Sequence, residues 1–169
     1  MSDISRNSKY GFLAVSEVEG LGYCGGLLIL TVAGRPVEFH CTAPVTANRA
    51  QQILYGATLK QFLVSDQIGT ALLDKARSKL DIVIVDQRDL CTLSSTVQLP
   101  FVLTDSNEHK HEFDAEGNIR QLEGASYEII GQSADQTDGL LKLFIETLPL
   151  SEPFDRIYQA MGEARADAA

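Results

Sequence analysis

The chain is expected to fold as one α/β or α+β domain in which a mixed central sheet is flanked by helices. Three observations predict this: β-like runs separated by turn chemistry up to residue 42, helical spacing up to about residue 79, and a short, wholly apolar strand framed by Asp81 and Asp86. A length of 169 residues suffices for one well-filled core and is short for two. With 44% hydrophobic and 22% charged residues the composition is that of a globular protein. Residues 1–169 therefore read as a single globular domain with loose tails at about 1–8 and 163–169.

The elements follow in order. Residues 10–19 (YGFLAVSEVE) are rich in aromatic and β-branched side chains and predict a first strand, ended by Gly20 and Gly22. Residues 23–32 (YCGGLLILTV) are apolar almost throughout, which suits a strand covered on both faces and central in its sheet. Ala33-Gly34-Arg35-Pro36 supplies a turn, after which Val37, Phe39 and Cys41 alternate with Glu38, His40 and Thr42 as the half-exposed arm of a hairpin. The hairpin sets Gly25 and Gly26 opposite the region of Cys41, where a backbone or a large side chain can come close.

Pro44 closes this sheet segment. Thr46 or Asn48 can cap a helix that gathers Ala50, Ile53, Leu54 and Ala57 on one face, and a second start at Ser65 or Asp66 aligns Ile68, Ala71, Leu72 and Ala76. Lys75, Arg77 and Lys79 suit the end of that second helix. The strand at 81–86 completes a β-β-β-α-α-β start. Beyond it, residues 97–104, 112–113, 119–122 and 127–130 are shorter strands, followed by a helix carrying Leu140, Leu141, Phe144, Ile145 and Leu148. Ser151 caps a last helix with Phe154, Ile157, Tyr158 and Met161 on its buried stripe.

Charge narrows the function classes. A net charge of -9 and a pI near 4.7 repel a polyanion on average, and Arg35, Arg49, Lys60, Lys75, Arg77, Lys79 and Arg88 are scattered among acids, so autonomous nucleic-acid binding is expected to be unlikely. The first residues lack a basic segment followed by an apolar run, and no stretch of about 18 apolar residues occurs, so neither secretion nor a membrane span is expected. Cys24, Cys41 and Cys91 are odd in number and widely spaced, which fits reduced thiols and a cytoplasmic location.

Asp86 is the sharpest candidate for chemistry. A strand-end carboxylate beside Glu17 or Glu19 of the first strand has the oxygen ligands that Mg²⁺ or Mn²⁺ requires. The arrangement of residues 10–90, a hairpin before the helices and an acid ending the fourth strand, resembles the ribonuclease H-like superfamily of nucleases and recombinases. That resemblance implies the family's fourth-strand Asp at Asp86, its first-strand Asp near Ser16 or Glu17 and its helix Glu near Gln51 or Gln52. A neutral Gln supplies no charge to offset two cations. A longin-, roadblock- or profilin-like sheet with helices is the rival architecture.

Other constellations carry less. Glu38, His40 and Cys41 with His109 and His111 have zinc-ligand side chains but no zinc spacing, and no metal site is assigned to them. No nucleophile elbow or phosphate loop is present. The segment Gly34 to Gly56 resembles uncharacterised bacterial proteins, and its Arg35, Glu38, His40, Arg49 and Tyr55 form the candidate protein-binding set.

The expected function is therefore a non-catalytic interaction or accessory subunit of an intracellular bacterial assembly, without cofactor. Its partner would be another protein, possibly encoded in the same operon, or a second copy. The alternative is a divalent-metal-dependent ribonuclease H-like nuclease using Asp86 with Glu17 or Glu19 and Mg²⁺ or Mn²⁺.

Overall fold

The computed structural model describes residues 6–111, 113, 118–131 and 134–168. The residues expected to form a strand at 112–113 fall partly outside that set, and Phe113 belongs to no strand. Seven strands form one mixed sheet: β1 (Lys9–Val18), β2 (Gly22–Thr31), β3 (Pro36–Cys41), β4 (Ile82–Val85), β5 (Phe101–Thr104), β6 (Ile119–Leu122) and β7 (Ala125–Ile129). Their order is β3-β2-β1-β4-β5-β7-β6. β1 is antiparallel to β2 and parallel to β4, and β4 is parallel to β5. β1 and β4 are thus the central strands. β2, expected to be central, stands second from the edge, its continuous apolar run explained by helices over both its faces rather than by its place in the order.

Those two layers rest on alternation along the strands. Phe12, Ala14, Leu28, Ile82 and Ile84 face α4 (Ala134–Ile145) and α5 (Glu152–Ala168), whose Leu140, Leu141, Phe144, Phe154 and Ile157 complete one core. Leu13, Val15, Leu27, Val83 and Val85 face the other layer, where Val64, Ile68, Leu72, Leu90 and Leu93 meet them. Gly25 and Gly26 open β2 on both sides: a Cβ on Gly25 would collide with Ile68, and one on Gly26 would lie 2.7 Å from Ile157 Cγ2. The expected close approach is made by helices of both layers.

The helical connection differs in detail from the expectation. α1 (Arg49–Tyr55) is capped as foreseen, with Asn48 Oδ1 accepting from the Gln51 N–H at 2.8 Å and Gln51 Oε1 accepting from the Asn48 N–H. It buries none of its residues, and Ile53 and Leu54 are 65% and 83% exposed. Helical spacing marks a face, and only tertiary contact makes that face a core. The second helix does not start at Ser65 or Asp66. α2 (Leu59–Gln61) runs through a π-helical stretch, Phe62–Gly69, into α3 (Thr70–Lys75), with Ser65 buried mid-run on the Thr92 hydroxyl at 2.7 Å. After β4 the chain forms a 3₁₀ segment, Arg88–Ser95, and the expected strand at 97–104 shortens to β5.

Among the described residues no helix is long and apolar enough to cross a membrane. All three cysteines are free, Cys24 and Cys91 buried and Cys41 half-buried. Burial pushes the Cys91 thiol up to about 12, which keeps it protonated and unreactive at neutral pH. Native protein is therefore expected to react with a thiol-specific reagent at one position, Cys41, with the other two reacting only after unfolding; three fast equivalents in the native state would contradict the packing.

A candidate site at the carboxyl ends of β1, β4 and β5

The parallel trio β1, β4 and β5 ends on one edge of the sheet, where the segments that follow converge. β4 pairs with β1 from Tyr10↔Ile82 to Leu13↔Val85, and continuing that register by one residue sets Ala14 beside Asp86. Asp86 follows Ile82 and Ile84 onto the α5 face and is 0% exposed. Its Oδ2 accepts two hydrogen bonds, from Ser106 Oγ and from the Tyr158 hydroxyl of α5, each 2.7 Å. Its Oδ1 is buried and has no hydrogen-bond partner among the described residues. Burial raises the Asp86 pKa, opposed by the hydrogen bonds from the two hydroxyls. The Tyr158 phenol is raised in turn, by burial first and then by the Asp86 charge.

The segment after β5 is built around this carboxyl. Ser106 Oγ also accepts from the N–H groups of Glu108 and His109, at 3.2 and 3.1 Å, which folds residues 106–109 into a tight turn. Asp105 Oδ1 receives the His111 N–H at 2.7 Å, and His111 Nε2 donates to the Asp86 carbonyl at 2.7 Å. Gln87 continues the ladder after β4: its Oε1 accepts from the Val15 N–H at 3.2 Å, so its amide nitrogen is the group that faces His109 Nε2 at 3.0 Å. An N–H donor there makes His109 Nε2 the acceptor and leaves the ring proton on Nδ1. Beside the turn lies a cleft of about 460 Å³ lined by Thr104, Asp105, Lys110, Ser126, Thr147 and Ser151, among others.

Of the site residues expected from sequence, Asp86 alone occupies this place. Alternation along β1 turns Glu17 to the face opposite Asp86, and Glu17 stands three residues beyond Ala14, about 10 Å at ~3.3 Å per residue. Glu19 lies past the end of β1. Strand register thus does not set either carboxylate beside Asp86 to share an ion with it. Ser16, on the Asp86 face, and Ala14 bring no carboxylate. Gln51 completes the α1 capping box, and Gln52 Nε2 donates to the Ala47 carbonyl at 3.1 Å. Among the described residues no group of three or more His, Cys, Asp or Glu is arranged to hold a metal ion.

The candidate protein-binding set is not one cluster. Glu38 and His40 meet on β3 at 2.9 Å, whereas Arg35 lies in the turn at the other end of β3 from α1. Arg49 opens α1, and Tyr55 stacks on Phe62 with centroids 4.0 Å apart. Glu38 holds the fold together locally. Its carboxylate receives the N–H groups of Ser78 at 2.7 Å and Arg77 at 2.9 Å, tying the end of the α3 connection to β3. Hydrogen bonding from Ser78, then from Arg77 and His40, pulls its pKa down to about 2. A carboxylate lowered by folding stabilises above its unfolded value, and the contribution is lost as pH falls from about 4.5 towards 2. The gap in melting temperature between the wild type and Glu38→Gln is thus expected to be full at pH 7 and to narrow steadily as pH falls from about 4.5 towards 2; a constant gap would contradict this.

Sequence reasoning did not single out Ser106, Gln87 or Tyr158 as partners of Asp86, and it offered His109 and His111 only as zinc ligands. The signal was there in Asp105-Ser106-Asn107 and His109-Lys110-His111, a polar run directly after a strand parallel to β4.

No protein-family model matches the sequence, and no curated protein is similar to it. The fold is similar to that of a variant of endonuclease V from Ciona intestinalis, solved in complex with a 23mer DNA containing an inosine followed by a ribo-adenosine. The two share 9% identity at a TM-score of 0.58, over 96% of this chain and 87% of that one. It is also similar to human ENDOV, at 15% identity and a TM-score of 0.55, over the same shares. The fold is ribonuclease H-like, as the element order implied, and not of the longin, roadblock or profilin kind.

Two expectations are corrected by these likenesses. The likeness to endonuclease V tells against the reading as a non-catalytic accessory subunit partnered by another protein or a second copy, and against the expectation that nucleic-acid binding is unlikely. The physical reason is that a net charge of -9 averages over the whole surface and says little about the field at one edge of a sheet.

Proposed function

We propose that the protein acts on nucleic acid as a nuclease of the ribonuclease H-like superfamily, with Asp86 as its central carboxylate. The observation that carries this reading is the position of Asp86 at the carboxyl end of a central strand, with one oxygen left without a hydrogen-bond partner among the described residues. The fold's similarity to endonuclease V, in one case bound to DNA, supports it.

Mg²⁺ or Mn²⁺, which the fold implies, would find one ligand in the Asp86 carboxylate once that group, buried in this structure, is exposed, and Mg²⁺ is commonly held by one or two carboxylates with water and substrate phosphate in its other positions. When bound, such an ion neutralises phosphate charge and acidifies a water molecule. A second ion finds no carboxylate at the positions the resemblance implies, where Ser16 and Gln51 or Gln52 are neutral and Glu17 is turned to the face opposite Asp86. The chain's own contributions surround Asp86: Lys110 brings positive charge to the adjoining cleft, and His109 keeps its proton on Nδ1 through Gln87. A reducing, cytoplasmic and bacterial setting belongs to the same proposal, supported by the three free thiols.

Labelled single- and double-stranded DNA and RNA incubated with the protein in Mn²⁺ test this reading. Cleavage that EDTA abolishes is expected, slower than that of a two-ion centre; intact strands in all four cases would end the nuclease reading.

A further inference from the structure

Asp86 has no accessible surface, so neither a phosphodiester nor a hydrated cation can touch it in this conformation. The atoms that shut it in come from two separate segments. Ser106 arrives from the turn after β5 and Tyr158 from α5, and both hydroxyls converge on the same oxygen, Oδ2. A third contact ties the two segments to each other: Asn107 Nδ2 donates to both carboxylate oxygens of Asp155, at 3.1 Å each, and Asp155 precedes Tyr158 by three residues on the same side of α5.

We infer that Ser106 and Tyr158 form a hydroxyl latch that holds Asp86 closed in the resting protein and that substrate has to release. The cover is polar where the rest of this face is sealed by Phe12, Phe144, Phe154 and Ile157. Hydroxyls can exchange a carboxylate partner for water at small net cost, whereas pulling apart apolar side chains exposes surface that water penalises. Opening at this point therefore leaves the core intact, and Oδ2, the oxygen that both hydroxyls hold, is the one that release would free. Ser106 and Tyr158 are positioning residues: they touch Asp86 and act through it. The consequence for cleavage rests on the nuclease reading above, while the latch itself rests on geometry alone.

Carboxyl labelling of the folded, full-length protein with a carbodiimide and glycine ethyl ester, read by mass spectrometry, tests it directly. In the wild type Asp86 is expected to stay unlabelled while the exposed Glu17 and Glu19 react. The double variant Ser106→Ala/Tyr158→Phe is expected to raise Asp86 labelling at least tenfold, with the buried Glu128 unchanged, and Ser106→Thr, which keeps the hydroxyl, to label as the wild type does. Asp86 labelling as fast as Glu17 in the wild type, no change in the double variant, or a parallel rise at Glu128 would each overturn the latch. If the protein cleaves nucleic acid, the double variant is further expected to raise kcat/KM, and an unchanged value would contradict the need for release. Absence of cleavage would leave the labelling result standing, so the two readings fail separately.

Discussion

Asp86→Asn is expected to lower Mn²⁺-dependent cleavage at least about a hundredfold, equivalent to ~2.7 kcal/mol of transition-state stabilisation, while leaving the protein folded. The amide has nearly the shape of the carboxylate, and its oxygen can keep accepting from Ser106 and Tyr158. What it loses is negative charge on a buried group, which burial already disfavours. Stability is therefore expected to hold or rise, separating a chemical effect from a structural one. Glu17→Gln is the matched control: its side chain points to the opposite face of β1, and its cleavage rate is expected to equal that of the wild type. Equal rates for Asp86→Asn and the wild type would mean that the activity resides elsewhere.

The largest expected effect on stability is at Phe144. Its ring is fully buried in the layer between the sheet and α4, 5.0 Å from the Tyr10 centroid and 5.2 Å from that of Phe12. Tyr10 is itself anchored by its hydroxyl on the Leu140 carbonyl at 2.6 Å, so the neighbours cannot readily close over a void. Phe144→Ala is expected to cost about 3–5 kcal/mol, a large share of the stability of a domain this size. Urea denaturation of both proteins measures it, as a lower midpoint with an unchanged slope. A loss below about 1 kcal/mol would show that the core relaxes around the cavity.

Much of the architecture was legible because its causes are local. The apolar runs of β2 and β4, the Gly25-Gly26 pair and the Asn48 cap each dictate their own conformation, and together they give the hairpin, the crossover and the parallel return. The placement of Asp86 at a strand end followed from the same pattern. The exposure of α1 was not legible, since the spacing of Ala50, Ile53 and Leu54 is the same whether or not a core receives them. The pairing of Asp86 with Glu17 failed on register: a one-residue difference along a strand reverses the face, and register is fixed by partners distant in sequence. Tyr158 stands 72 residues from Asp86, and its place on the buried stripe of α5 gave no hint that its hydroxyl would meet a carboxylate.

Nucleic acid as ligand is the central claim, and the Asp86→Asn protein allows it to be tested without turnover. Fluorescence anisotropy of labelled single- and double-stranded oligonucleotides would be followed as this variant is added at low and at physiological salt. The account predicts binding that weakens as salt rises, with a Kd on the order of 10⁻⁴–10⁻⁶ M at physiological salt. No change in anisotropy with any strand, even at low salt, would contradict it.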